Sequence, residues 1–120
     1  MPSVLIVDDD PSVRTTVSML LRMEGFEVRA AADGRSGLEA ALAAPPDAIV
    51  SDLNMPGMGG LALLRAVRQT ASLAHIRVVL LTGMTDQTVG LQEDGSAPDA
   101  VLTKPFSRDQ LLAALTALKR

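Results

Sequence analysis

A chain of 120 residues holds one domain with a sizeable core and leaves no room for two ordinary ones. Its 48% hydrophobic content, 21% charged residues and formal net charge of −3 place it among folded globular chains, with no basic patch to argue for nucleic acid. No cysteine, a single histidine (His75) and two aromatic residues (Phe26 and Phe106) exclude disulfides, thiolate zinc, histidine metal clusters and a base-stacking platform, and leave oxygen ligands as the available donors.

Val4 to Val7 is a short, apolar, β-branched-rich run that stops at Asp8, and Ile49 to Ser51 and Val78 to Leu81 repeat the pattern. Such runs read as strands buried on both faces. Strands are expected near 3–7, 27–31, 47–51, 76–81 and 99–102. Between them the apolar spacing turns helical: Val13, Val17, Leu20 and Leu21 first, then Leu38, Ala41 and Leu42, then Leu61, Leu64 and Val67. Asp10 before Pro11 predicts an N-cap with proline at the first helical position, and Gly25 a close. Pro45 and Pro46 stop the second helix. Gly90, Gly95 and Pro98 interrupt 84–98, where a short, mobile helix is expected. Ser107 with Gln110 predicts a capping box opening a last helix whose face carries Leu111, Leu112, Leu115 and Leu118. Five βα units with right-handed crossovers make an α/β fold, a doubly wound, five-stranded parallel sheet with helices on both faces, in one domain over 1–120. No apolar run approaches the roughly 20 residues that span a bilayer and no targeting pattern opens the chain, so a cytoplasmic protein is expected.

In an open parallel sheet, ligands bind beyond the carboxyl ends of the strands. Asp8 and Asp9 end the first strand, Asp52 the third and Thr82 the fourth, with Lys104 just after the fifth. Three carboxylates crowded at one edge repel one another unless a cation sits among them. A hard divalent ion suits them, and Mg²⁺ fits a site of few carboxylates completed by waters and a phosphate. Lys104 is one of two lysines against nine arginines and would add a compact second positive charge.

Taken together, "VLIVDDDPSVR", "SDLNMPGMGG", "VVLLTG" and "VLTKPF" resemble the receiver domain of bacterial response regulators, over essentially the whole chain. The resemblance implies a CheY-like fold in which Asp52 accepts a phosphoryl group from a sensor histidine kinase or a phosphotransfer protein. It implies Mg²⁺ held by Asp8, Asp9, Asp52 and the backbone carbonyl of Asn54. Thr82 would hydrogen-bond the phosphoryl group, Lys104 would pair with it, and the Lys104–Pro105 peptide would be cis. A receiver is a signalling domain rather than an enzyme, promoting only its own phosphorylation and dephosphorylation. It would bind no nucleic acid or membrane itself, pass its signal to a downstream partner or output domain, and be a monomer able to dimerise on phosphorylation.

Val101 and Gly59 depart from the family pattern, as do Gly95, slightly earlier than the usual glycine before the fifth strand, and the inserted Pro98. Val101 stands three positions before the lysine, where an aromatic side chain commonly rotates on activation; valine is too stiff for that swing, so the signal must travel through Thr82 and the backbone. Gly59 replaces a common acidic residue and loosens its loop. Met84 offers no hydrogen bond to align an attacking water, so a long-lived phosphorylated state is expected, shortened in Met84→Glu when phosphoryl loss is followed over time. Met55 and Met58 are expected to pack the loop, and His75 to be exposed. Asp8 and Asp10 also spell the D-x-D of haloacid-dehalogenase phosphatases, but Ser12 stands where a Thr or Val is usual and Asp10 is committed to capping. A flavodoxin-like electron carrier would need a phosphate loop and flanking aromatics that this chain lacks, whereas a pseudo-receiver that binds partners without phosphorylation stays open through Val101.

Overall fold

The computed structural model describes residues 2–53, 55, 57–82, 98–103 and 106–115. Strands β1 (Ser3–Val7), β2 (Glu27–Ala31), β3 (Ala48–Asp52), β4 (Arg77–Thr82) and β5 (Ala100–Thr103) form one sheet in the order β2-β1-β3-β4-β5. Every pairing is parallel, with Val4 opposite Val28 and Ala48, and Asp52 opposite Leu81. Helices α1 (Pro11–Met23), α2 (Gly34–Ala43), α3 (Gly60–Gln69) and α4 (Arg108–Leu115) cover it. Each expected strand is present, displaced by at most one residue at either end. The helix expected over 84–98 falls, apart from Pro98, outside the described residues.

Strand alternation divides the apolar side chains into two cores. Val4, Ile6, Val50, Val79 and Leu81 face one side, against Val17 and Leu21 of α1 and Leu111 and Leu115 of α4. Leu5, Val7, Ile49, Val78 and Leu80 face the other, against Ala41 of α2 and Leu63, Leu64 and Val67 of α3. This is why the central strands read as unbroken apolar runs: both faces are covered. The edge strands β2 and β5 alternate instead, and Val101 stands 40% exposed.

Local chemistry fixes where the helices start and stop. The Asp10 carboxylate accepts from the Ser12 N–H at 2.9 Å with Pro11 at the first position, as the sequence predicts. After α1, Gly25 takes φ +93° and donates to the Arg22 carbonyl at 3.1 Å, while Phe26 N–H reaches the Leu21 carbonyl at 3.0 Å. That is a Schellman close, with Phe26 buried behind it. A Cβ at Gly25 would meet open space, so the penalty of Gly25→Ala is conformational, about 1 kcal/mol, readable as a lower denaturant midpoint at unchanged slope. The capping box opens α4: Ser107 N–H donates to Gln110 Oε1 at 2.7 Å, and Gln110 N–H to Ser107 Oγ at 3.0 Å.

One cap has no counterpart in the sequence reading. Asp33 opens α2 by accepting from the Ser36 N–H at 2.8 Å, and that hydrogen bond holds its carboxyl below the ordinary range. The contribution is therefore complete above the unfolded pKa and disappears only as pH falls through the lower folded value.

Candidate acidic site at the carboxyl edge of the sheet

The sheet brings the ends of β1, β3 and β4 to one edge. Asp8 follows β1 and is 0% exposed, its N–H donating to the Ala31 carbonyl at 3.2 Å. One carboxylate oxygen, Oδ1, accepts from the Asp10 N–H at 2.9 Å, and Arg14 Nη1 donates to the Asp8 backbone carbonyl at 2.7 Å. The residue is thus held from both its side chain and its backbone. Asp9 beside it is exposed.

Asp52, the last residue of β3, is 8% exposed. The chain beyond it is tied to the next strand by the Leu53 N–H donating to the Leu81 carbonyl at 2.7 Å, and the buried Ser51 hydroxyl donates to the Asp52 carbonyl at 3.0 Å. Thr82, 1% exposed, ends β4 one position beyond Leu81, the register partner of Asp52. Carboxylate oxygens of Asp8, Asp9 and Asp52 all lie within 4.8 Å of one another. Lys104, Asn54 and Met84, with the Lys104–Pro105 peptide, lie outside the described residues.

Three hard oxygen donors at this separation suit a small divalent cation. Magnesium binds oxygens at about 2.0–2.1 Å in an octahedron, whose ligands stand about 2.9–4.2 Å apart, so modest side-chain adjustment closes the set. The pair Asp8 and Asp52 is buried and the third acid reaches solvent, which leaves a way in. A cavity of about 570 Å³ opens beside the cluster, lined by Asp9, Ala32, Asp33, Arg35, Gly57 and Met58. Another, about 330 Å³ and apolar, lies between α1 and Phe106, and no carboxylate lines it. Met55 is buried and Met58 packs against the same core, as loop packing requires, while His75 is exposed in a turn. The Arg14 contact escaped the sequence reading; its signal is an arginine one turn into the helix that follows the acids.

The family model described as the response regulator receiver domain matches residues 4–116. The chain belongs to the response-regulator receiver family. It is 38% identical over 120 residues to the DNA-binding dual master transcriptional regulator RpaA of a Synechocystis strain, covering 100% of this chain and 50% of that protein. To the transcriptional regulatory protein PrrA of Mycobacterium tuberculosis it is 39% identical over 119 residues, covering 99% and 50%. The receiver therefore spans about half the length of these curated relatives. Among solved structures, the Vibrio cholerae chemotaxis protein CheY4 superposes with a TM-score of 0.90 at 37% identity, covering 98% of each chain. A putative response regulator from Chloroflexus aurantiacus gives 0.89 at 32% identity over 100% of both. These likenesses make the chain a receiver domain of two-component signalling rather than a haloacid-dehalogenase phosphatase, and a signalling domain rather than a conventional enzyme. Among the described residues no helix of this receiver is long and apolar enough to cross a membrane.

Proposed function

We propose that this receiver takes a phosphoryl group onto Asp52 from the phosphohistidine of a sensor kinase or phosphotransfer protein, in a Mg²⁺-dependent reaction in the cytoplasm. The observation that carries this is the convergence of Asp8, Asp9 and Asp52 within 4.8 Å, with buried Thr82 on the neighbouring strand. Asp8, Asp9 and Asp52, with the Asn54 carbonyl, would hold the ion. When bound, magnesium supplies positive charge against the phosphoryl oxygens.

The chain's own residues do the rest. A carboxylate oxygen of Asp52 attacks phosphorus in line, forming an O–P bond as the donor's N–P bond breaks and its electron pair returns to the imidazole. Little covalent assistance is needed, because phosphoryl transfer depends on positioning and charge neutralisation. Burial of Asp52 at the end of a fixed strand supplies the positioning, and the Lys104 ammonium adds charge. The acyl phosphate formed carries new acceptor oxygens and added negative charge, which draw the Thr82 hydroxyl and Lys104 inward. Segments after β4 and β5 then shift, biasing the surface of 84–98, β5 and α4 between two states that a downstream protein or output domain reads. In this reading 1–120 act as one receiver, monomeric at rest and able to dimerise on phosphorylation.

Incubation with Mg²⁺ and a small phosphodonor, followed by intact mass, tests the proposal. One added phosphoryl group is expected, dependent on Mg²⁺ and labile to hydroxylamine as an acyl phosphate is. Absence of that mass, or a hydroxylamine-resistant adduct, rejects it.

A further inference from the structure

Gly34, buried at the start of α2, has no room for a side chain. A Cβ there would stand 2.2 Å from the Met58 carbonyl oxygen and 2.9 Å from Met58 Cγ. Among the described residues the positive-φ glycines are Gly25 and Gly57, so backbone freedom does not account for glycine at 34. Close approach does. The segment it touches follows Asp52, and Gly57 and Met58 line the same cavity as Asp9 and Asp33. One turn further on, a Cβ at Gly37 would stand 2.7 Å from Val7 Cγ2, and Val7 immediately precedes Asp8. The first turn of α2 therefore abuts both segments that deliver carboxylates to the site.

We propose that Gly34 is a positioning residue of the acidic site: its missing side chain sets how closely the segment after Asp52 rests on α2, and so the spacing of Asp52 from Asp8 and Asp9. This rests on the reading of those acids as a Mg²⁺ site. The atom a methyl group would strike first is a backbone oxygen, which cannot rotate aside as a side chain can. Relief requires the segment or the helix to move by about 1 Å to recover van der Waals contact. Magnesium accepts little deviation from octahedral geometry, so affinity should register that movement.

Calorimetric titration of Mg²⁺ into the wild type, Gly34→Ala and Leu73→Ala separates positioning from general weakening. Leu73 is a buried core residue before β4, at the opposite edge of the sheet. Gly34→Ala is expected to bind Mg²⁺ about 10-fold more weakly, as losses of supporting contacts around metal ligands do. Leu73→Ala is expected to melt at a lower temperature and bind Mg²⁺ as the wild type does. A Gly34→Ala affinity within about twofold of wild type overturns the inference, as does an equal loss in Leu73→Ala. Should Gly34→Ala not fold, hydrogen exchange on the wild type decides. Saturating Mg²⁺ should slow exchange at the start of α2 and leave Arg68 and Gln69 at the far end of α3 unchanged; no added protection in α2 overturns the inference. A wild type that binds no Mg²⁺ removes the metal-site reading and this inference with it.

Discussion

Asp52→Asn is expected to take up no phosphoryl group and, without divalent ions, to melt at a higher temperature than the wild type. The amide has nearly the carboxylate's shape, and the bonds that fix the strand end, from Leu53 N–H to the Leu81 carbonyl and from the Ser51 hydroxyl to the Asp52 carbonyl, involve no Asp52 side-chain atom. The position is therefore kept while the anionic nucleophile is lost. Asp8 and Asp52 are both buried with carboxylate oxygens within 4.8 Å. At an effective dielectric near 20, two like charges at that range cost on the order of 3 kcal/mol. Asp9 is exposed, and its share is mostly screened. Solvent and salt at the open edge of the site screen part of this repulsion. A net gain of about 1–2 kcal/mol remains, or roughly 5–10 °C for a chain of this size. Intact mass after phosphodonor treatment reads the first effect and scanning calorimetry in chelator the second. Phosphoryl uptake by the variant would move the acceptor elsewhere, and an unchanged melting temperature would mean that the acids do not strain the metal-free fold.

How far the sequence could be read follows from where each signal resides. Val4 to Val7 announced β1 because burial on both faces leaves a run with no polar interruption, and all four residues are fully buried. Asp10, Pro11 and Gly25 announced the ends of α1 because capping acts within a few residues of chain. The juxtaposition of Asp8, Asp9 and Asp52 was legible at one remove: parallel strands all end at the same edge, so polar residues closing successive apolar runs must meet there. Contacts between distant elements were not legible. Arg68 donates to the Ile76 carbonyl and pairs with Asp99 at 2.8 Å, and Asp99 in turn accepts from the Val78 N–H at 2.7 Å. This clamp ties the end of α3 to β4 and to the start of β5, yet neither residue stands in a pattern that marks it. Arg29 reaches from β2 to the Ala40 carbonyl at the end of α2 at 3.2 Å, and the Arg108–Glu24 pair at 2.6 Å joins the start of α4 to the end of α1. Such arginines reach partners set by how helices lie on the sheet. The same holds for Gly34, whose reason is a carbonyl 24 residues further along the chain.

Magnesium at a hundredfold excess over its dissociation constant is expected to stabilise the wild type by about 2.7 kcal/mol, through mass action on a site that exists only when folded. Asp8→Asn is expected to lose most of that increment. Asp8 is the acid whose loss should matter most, because it is fully buried and already held: Oδ1 accepts from the Asp10 N–H and Arg14 grips its backbone carbonyl. A carboxylate so constrained has lost its rotational freedom before any ion arrives, so little ordering cost is added on binding. Asp9, exposed, still has that cost to meet. Asparagine can accept the same Asp10 N–H through its amide oxygen, so the turn into α1 survives and the deficit falls on the ion. Removing one charge of the cluster also relaxes its repulsion, so the metal-free variant should resemble Asp52→Asn in melting above the wild type. Melting curves across a Mg²⁺ series therefore distinguish the two roles of the acid: the wild-type curve starts lower and climbs, and the Asp8→Asn curve starts higher and stays nearly flat. Parallel climbs in both proteins would place the stabilising ion away from Asp8.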